Sequence, residues 1–139
     1  MMTAADFVAE VRTWEGVKFR HQGRSRLGVD CIGLAVVTLK AKGYLPTDFV
    51  DNACYGRAPN TSEFIDTVKR FCTPIEKPEN GCLVVFRWPQ AKFPSHAAVL
   101  DGPYMIHAYE RVGKVVRTTY GQPWLRMTDS VYRLPGITP

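Results

Sequence analysis

Long apolar runs are missing from this sequence, and so are the marks of an exported chain. Nowhere do about 18 apolar residues follow one another, which is the length that a membrane-spanning helix needs. The N-terminal segment MMTAADFVAEVRTW has neither the basic start nor the apolar centre of a secretory signal. We therefore expect a protein made in the cytoplasm, with no membrane partner.

Cysteine is scarce and widely spaced. The four cysteines are Cys31, Cys54, Cys72 and Cys82, so the sequence contains no CxxC metal pair. A chain of 139 residues buries enough apolar surface to fold without disulfide bridges or a structural metal. We expect free thiols, no cofactor and one domain that covers residues 1–139.

Charge of one sign is only in modest excess. Lysine and arginine number 18 against 13 acidic residues, which gives a net charge of +5 and favours anionic partners. The basic residues are scattered, except in the segment FRHQGRSR that contains Arg20–Arg26. That segment is either a solvated loop or a binding rim for an acidic substrate. No nucleic-acid recognition motif or long basic stripe accompanies it, so we expect no nucleic-acid partner.

Three segments have the apolar spacing of α-helices. Residues 3–14 follow the helical period behind Thr3, which can cap the helix. The run CIGLAVVTLKAKG follows Asp30, has little polar face and ends at Gly43, so we expect a buried central helix. A third helix is predicted to open at Thr61.

The second half of the chain has the pattern of β-strands. After a loop predicted between Pro46 and Pro59 and the third helix, short β-type runs begin beyond Asn80-Gly81. These runs are CLVVFRW, SHAAVL, YMIHAY, KVVRTTY and SVYRL. Helices followed by strands predict an α+β domain, in which N-terminal helices pack on a C-terminal antiparallel sheet.

Cys31 is placed where a nucleophile can be activated. Asp30 is the predicted N-cap, so Cys31 falls in the first turn of the buried helix, near free backbone N–H groups and the positive end of the helix dipole. This position favours the thiolate and predicts a lowered thiol pKa. The alternative is a small buried core residue, because free cysteine is often buried.

Two histidines are predicted to share one face of the sheet. His96 and His107 flank the turn sequence Leu100-Asp101-Gly102-Pro103, in which Asp-Gly is a strong hairpin signal. If Asp101-Gly102 forms the loop, His96 lies directly opposite His107. A thiol, a base and a group that orients the base form a cysteine-nucleophile site, and Cys31, His96 and His107 supply this set.

Two other assignments remain open at this point. His21, ten residues before Cys31, is an alternative base. Cys31, His96 and His107 are also zinc-ligand types, and a water molecule would complete a tetrahedral site. Sequence spacing does not decide between these alternatives.

The segments around these residues resemble a known family. FRHQGRSRLGVDCIGLAV, PSHAAVLDG and YMIHAYE are similar to the NlpC-type peptidases, a papain-like family that cuts the peptide stems of bacterial cell walls. The resemblance runs from about Trp14 to Arg117 and looks closest to phage-tail members. It implies a papain-like fold, with Cys31 as nucleophile, His96 as general base and His107 as the residue that orients it.

The resemblance also implies a substrate and a location. The substrate is a peptidoglycan stem peptide, cut between D-glutamate and a diamino acid. The likeness to phage-tail members implies carriage on the tail tip of a virion, with tail-tip proteins as partners. The basic segment Arg20–Arg26 would then meet the acidic wall polymer or a neighbouring tail protein.

Three positions depart from the family pattern. Phe19 stands where many members have an aromatic hydroxyl, so oxyanion stabilisation would come from backbone N–H groups, with His21 or Gln22 as helpers. Ile32 replaces the serine after the cysteine, and Cys82 replaces the aspartate of a Gly-Asp pair. These departures define a rival function, a structural tail-assembly subunit that keeps the fold without catalysis.

Overall fold

The structure is a computed structural model that describes residues 2–45 and 61–139. The predicted loop between Pro46 and Pro59, together with Cys54, lies outside the described residues. In chain order, the elements are β1 (Met2–Thr3), α1 (Ala4–Arg12), β2 (Arg24–Ser25), β3 (Gly28–Val29), α2 (Cys31–Ala41), α3 (Glu63–Phe71), β4 (Thr73–Ile75), β5 (Leu83–Phe86), β6 (His96–Asp101), β7 (Tyr104–Tyr109), β8 (Lys114–Thr119), α4 (Trp124–Met127), β9 (Thr128–Arg133) and β10 (Ile137–Thr138).

The three predicted helices are confirmed, and their ends follow from local capping. The hydroxyl of Thr3 accepts a hydrogen bond from the backbone N–H of Asp6 at 3.1 Å, which caps α1. Asp30 caps α2 in the same way. Helix α2 has buried residues on nearly all sides, so it lies in the core between α1 and the sheet, as its apolar sequence predicts.

The strands form one main sheet. Its six strands are ordered β4-β9-β5-β6-β7-β8, and every neighbouring pair is antiparallel. The five β-type runs of the sequence all contribute strands to it. The predicted α+β class is therefore confirmed, with helices α1 and α2 against this sheet. The parallel pair β1 and β10, and the short helix α4, were not predicted from the sequence.

The two faces of the sheet carry separate cores. Alternate residues of β6 and β7, such as Val99 and Ile106, pack with helices α1 and α2. Their neighbours Leu100 and Met105 point to the opposite face, where they pack with Trp124 of α4. The C-terminal segment around α4 thus covers the face that the N-terminal helices leave open.

The hairpin between β6 and β7 differs from its predicted register. Asp101 pairs with Tyr104, so Gly102-Pro103 forms the loop and not Asp101-Gly102. Continued along the strands, this register sets His96 level with Tyr109 and makes His107 a diagonal neighbour. The predicted direct pairing of the two histidines is therefore wrong. Their shared face is nevertheless kept, because moving the loop by one residue changes the register by two and leaves the alternation intact.

Within the described ranges, the helices are all too short or too polar to cross a membrane.

Candidate active site

Cys31 lies at the head of the buried helix, as predicted. It is the first residue of α2, and the Asp30 carboxylate before it accepts a hydrogen bond from the backbone N–H of Gly33 at 2.7 Å. The helix start is therefore fixed by a charged cap in a buried position. Cys31 keeps 8% of its surface exposed, and its thiol faces a cavity that Asp30 also lines.

The same carboxylate ties the preceding loop to the helix. Asp30 accepts hydrogen bonds from the backbone N–H of Gln22 at 2.8 Å and from the guanidinium of Arg24 at 3.1 Å. Gly33 lets the loop approach, because a Cβ there would collide with the carbonyl oxygen of Gly23. Asp30 thus positions both the nucleophile candidate and the loop beside it.

The basic segment of the sequence is largely engaged within the protein. Arg24 pairs with Asp30, and the guanidinium of Arg26 donates to the carbonyl oxygen of Thr13 at 2.8 Å. Arg26 also stacks over the ring of Trp14, 3.8 Å from its centroid. Arg24 therefore holds the loop to the head of α2, and Arg26 holds it to the end of α1. The exposed Arg20 is left as the remaining arginine of a binding rim.

The sequence predicts a lowered pKa for the Cys31 thiol, but in the structure this pKa is raised. Burial is the main cause, and the adjacent Asp30 carboxylate raises the pKa further. Backbone N–H groups of Ala97, Ile32 and Cys31 itself act in the opposite direction, but they do not outweigh burial. The resting site therefore holds a neutral thiol, and a base must remove its proton before the sulfur attacks.

The two histidines form a hydrogen-bonded relay on the sheet. His96 begins β6 and His107 lies within β7, and His96 Nε2 is 2.7 Å from His107 Nδ1. His107 Nε2 is in turn 3.0 Å from the hydroxyl oxygen of Thr118 on β8. Since Nε2 of His96 is engaged, Nδ1 is the ring nitrogen left to serve as base.

Burial keeps both imidazoles neutral. Desolvation lowers the pKa of His107 to about 4. The pKa of His96 is lowered well below its ordinary value, by burial first and by the proximity of His107 second. If His96 Nδ1 is to accept a proton, His96 Nε2–H must donate to His107, and His107 Nε2–H must donate to Thr118. The relay therefore fixes the tautomer that a general base requires.

Aromatic side chains enclose the relay, and sequence reasoning missed them. Trp88 stacks on His96 with ring centroids 5.5 Å apart, and Tyr109 stacks on His107 at 5.0 Å. Trp124 meets both imidazoles edge-on or tilted, at 5.9 and 5.1 Å. Trp124 lies outside every predicted β-type run, so alternation gave no signal for it, whereas Trp88 ends the predicted run CLVVFRW. Thr118 was detectable, because period-two counting along β8 sets it on the histidine face.

The thiol and the base meet at one small cavity of about 80 Å³. The predicted site residues Phe19, His21, Asp30, Cys31 and His96 all line it, together with Phe64, Trp88, Ser95, Tyr109 and Glu110. His107 stands behind His96, fully buried. Gln22, predicted as an oxyanion helper, is not among the described residues that line the cavity, and its backbone N–H serves Asp30 instead.

Ser95 is a further polar group at the cavity. Its hydroxyl oxygen is buried and has no hydrogen-bond partner among the described residues. It immediately precedes His96 and opens onto the same space as Cys31. An unpaired buried hydroxyl in a reaction cavity is available to a bound substrate.

The zinc alternative does not fit the observed geometry. His96 and His107 face each other nitrogen to nitrogen, and the second nitrogen of His107 is engaged by Thr118. Their ring nitrogens therefore do not converge with Cys31 on one point. Over residues 2–45 and 61–139, no group of three His, Cys, Asp or Glu side chains has a metal-binding arrangement.

Cys82 occupies the position of the expected carboxylate. It is buried, and its sulfur accepts a weak hydrogen bond from the backbone N–H of Glu79 at 3.5 Å. Burial raises its pKa to about 11, so the thiol stays neutral. The sulfur supplies an acceptor at the turn before β5 without introducing a charge.

A helix-head thiol beside an oriented imidazole is the arrangement of a cysteine-nucleophile enzyme site. The sequence model of the NlpC/P60 family matches residues 16–133. The chain belongs to the NlpC/P60 family. No curated protein sequence matches the chain.

Solved structures share the fold at low sequence identity. An NlpC/P60 family protein from Bacillus cereus superposes with a TM-score of 0.72 and 20% identity, over 95% of this chain and 40% of that chain. The NlpC/p60 domain of the peptidoglycan hydrolase SagA superposes with a TM-score of 0.64 and 16% identity, over 94% of this chain and 98% of that chain. The peptidoglycan hydrolase RipB from Mycobacterium tuberculosis superposes with a TM-score of 0.63 and 17% identity, over 95% of this chain and 64% of that chain. The chain thus spans well under two thirds of the Bacillus cereus protein.

Proposed function

We propose that the chain is a cysteine peptidase that hydrolyses an amide bond in the stem peptides of peptidoglycan. The observation that carries this proposal is the relay from His96 to His107 and Thr118, set beside the thiol of Cys31 at one cavity. Family membership supports the cell-wall substrate, because SagA and RipB are peptidoglycan hydrolases.

The reaction begins with two neutral partners. As substrate enters, His96 Nδ1 accepts the proton of the Cys31 thiol, and the sulfur attacks the amide carbon. The positive charge on His96 is shared with His107, which accepts the Nε2–H hydrogen bond. The Cys31 thiolate and the protonated His96 form an ion pair. The bound substrate strengthens their attraction, because it excludes the water that would screen the two charges.

The second half of the reaction releases both products. His96 returns its proton to the leaving amine as the C–N bond breaks, which leaves a thioester on Cys31. A water molecule, deprotonated by His96, then attacks the thioester carbon. The acyl half leaves as a carboxylic acid, and the thiol regains its proton.

The position that carries an aromatic hydroxyl in many family members cannot stabilise the oxyanion here, because it is Phe19. Phe19 lines the cavity but carries no donor. We assign this role to backbone N–H groups at the head of α2, with His21 as the helper that lines the cavity. The absence of the hydroxyl predicts a slower enzyme, since removing one oxyanion donor costs about 100-fold in rate.

The proposed bond lies between D-glutamate and a diamino acid, as the family resemblance implies. Purified protein is incubated with defined muropeptides, and the fragments are identified by mass spectrometry. We expect cleavage by the wild type and by Cys72→Ala, which alters a buried thiol outside the cavity. Cys31→Ala and His96→Ala should be inactive. Unchanged cleavage by either would refute the assignment.

The second candidate function is a structural tail-assembly subunit with a silent site. The narrow cavity and the missing hydroxyl at Phe19 favour it. In that case, the wild type would leave every muropeptide intact, while Cys31→Ala would assemble with its partners as the wild type does.

We further propose that the protein is carried on a phage tail tip and bound there by tail-tip proteins. This proposal rests on the sequence resemblance to phage-tail members. Mass spectrometry of purified virions tests it. Detection in the virion is the expected result, whereas presence only among non-virion products would contradict it.

A further inference from the structure

A larger groove adjoins the reaction cavity. Its volume is about 650 Å³, and it is lined by Trp88, Pro89, Tyr109, Glu110, Arg111, Pro123, Trp124 and Met127. Trp88, Tyr109 and Glu110 line the cavity as well, so the two spaces share a wall. A substrate in the cavity can therefore extend into the groove.

The groove lies on the histidine side of the cavity. Trp88 and Tyr109 flank His96, with ring centroids 5.5 and 5.6 Å from the imidazole. The described residues on the thiol side, including Phe19, Asp30 and Phe64, line the cavity but not the groove. A chain that crosses the site thus runs from the thiol side, past His96, into the groove.

This direction decides which half of the substrate occupies the groove. The acyl half is bonded to Cys31, so it remains on the thiol side. The leaving amine takes its proton from His96, so it departs beside that imidazole. The groove beyond His96 is therefore the space for the amine half.

The side chains that line the groove suit an amino acid that carries a carboxylate. Arg111 is exposed at the groove and forms no hydrogen bond or ion pair with the rest of the described chain. A guanidinium binds carboxylate through two parallel hydrogen bonds. Trp88, Trp124 and Met127 supply the apolar surface on which an aliphatic side chain can lie.

We propose that this groove is the leaving-group subsite and that Arg111 selects substrates whose amine half carries a carboxylate next to the scissile bond. The inference rests on the proposed function, which defines the acyl and amine halves. It adds a specificity-determining residue outside the thiol and the relay.

The test compares two peptides that differ in one group. One peptide, L-Ala-γ-D-Glu-L-Lys, has a free C-terminal carboxylate. In the other peptide, this carboxylate is replaced by a neutral amide. We expect the wild type to cleave the acid with a kcat/KM about tenfold higher, the size of one charge-assisted hydrogen bond. Arg111→Gln should lose this preference and cleave the acid and the amide with equal kcat/KM. Arg126→Gln, which removes an exposed arginine outside the groove lining, should keep the preference.

A binding measurement separates this inference from the activity. Cys31→Ala is titrated with each peptide while tryptophan fluorescence is followed, because Trp88 and Trp124 line the groove. Tighter binding of the acid, lost on adding Arg111→Gln, supports the subsite even if no bond is cut. Equal binding and equal cleavage of the two peptides would overturn the subsite and leave the proposed function standing. A disaccharide that quenches the tryptophans and blocks the groove, with no carboxylate preference, would also overturn it.

Discussion

At the scale of single residues, the path of the proton from Cys31 depends on His107. The hydrogen bond of 2.7 Å to His96 fixes the imidazole and its tautomer. His107→Ala would leave His96 Nε2 buried without its acceptor. We expect kcat/KM on the stem peptide to fall about 100-fold, within the range of general acid–base contributions.

Thr118 tests whether the relay extends beyond His107. Thr118→Val keeps the shape of the side chain but removes the oxygen that lies 3.0 Å from His107 Nε2. We expect a smaller loss of kcat/KM than for His107→Ala, about tenfold, because the hydrogen bond acts through a second residue. Wild-type kinetics for His107→Ala would exclude a functional role for the relay. If only Thr118→Val had wild-type kinetics, the functional relay would consist of His96 and His107 without Thr118.

The residues of the relay differ in how far sequence could locate them. His96 and His107 follow from strand alternation, which survives the error in the hairpin loop because the period is two. The protonation state of Cys31, the nucleophile beside the relay, could not be predicted from strand alternation. Its pKa depends on burial, and burial is set by elements that fold over the helix start from distant parts of the chain.

At the scale of elements, the start of α2 depends on Asp30. The carboxylate accepts hydrogen bonds from the backbone N–H groups of Gly33 and Gln22 and from the Arg24 guanidinium. Asp30→Ala should lower the free energy of unfolding by about 2 kcal/mol or more, since a cap is lost and buried donors remain unpaired. Urea denaturation measures this change.

Asp30→Asn provides the matched control. It keeps an oxygen that can accept from Gly33 but removes the charge that pairs with Arg24. We expect a loss smaller than that of Asp30→Ala. Equal stability of wild type and Asp30→Ala would show that the helix start is held by packing alone.

The elements themselves were largely predictable. Helices α1, α2 and α3 and the five long strands follow from apolar periodicity and from capping residues. Helix α4 was missed because four residues are too short to show a period. Its role in covering the histidine face depends on long-range packing of Trp124, which periodicity does not encode.

At the scale of the whole molecule, the buried histidines link stability to pH. The pKa of His107 is about 4 in the folded protein and near 6.5 when unfolded. Below the unfolded value, the unfolded chain binds the proton first, so the free energy of unfolding falls as pH falls. His107 alone contributes a loss of about 3 kcal/mol, complete once the pH is below about 4.

Urea denaturation between about pH 7 and about pH 4.5 measures this linkage. His107→Asn cannot take up the proton, so its stability should fall less steeply with acid than that of the wild type. His96 is depressed in the same direction, and some slope should therefore remain. Identical slopes for the wild type and the variant would mean that His107 is not held neutral by burial.

The central claim is that Cys31 carries the acyl group. The direct measurement is an acid quench of the reaction with stem peptide, followed by peptide mapping of the protein by mass spectrometry. We predict an acyl adduct on the peptide that contains Cys31, formed by the wild type and absent from Cys31→Ala, which should also release no product. An adduct on another residue, or product release by Cys31→Ala, would contradict the account.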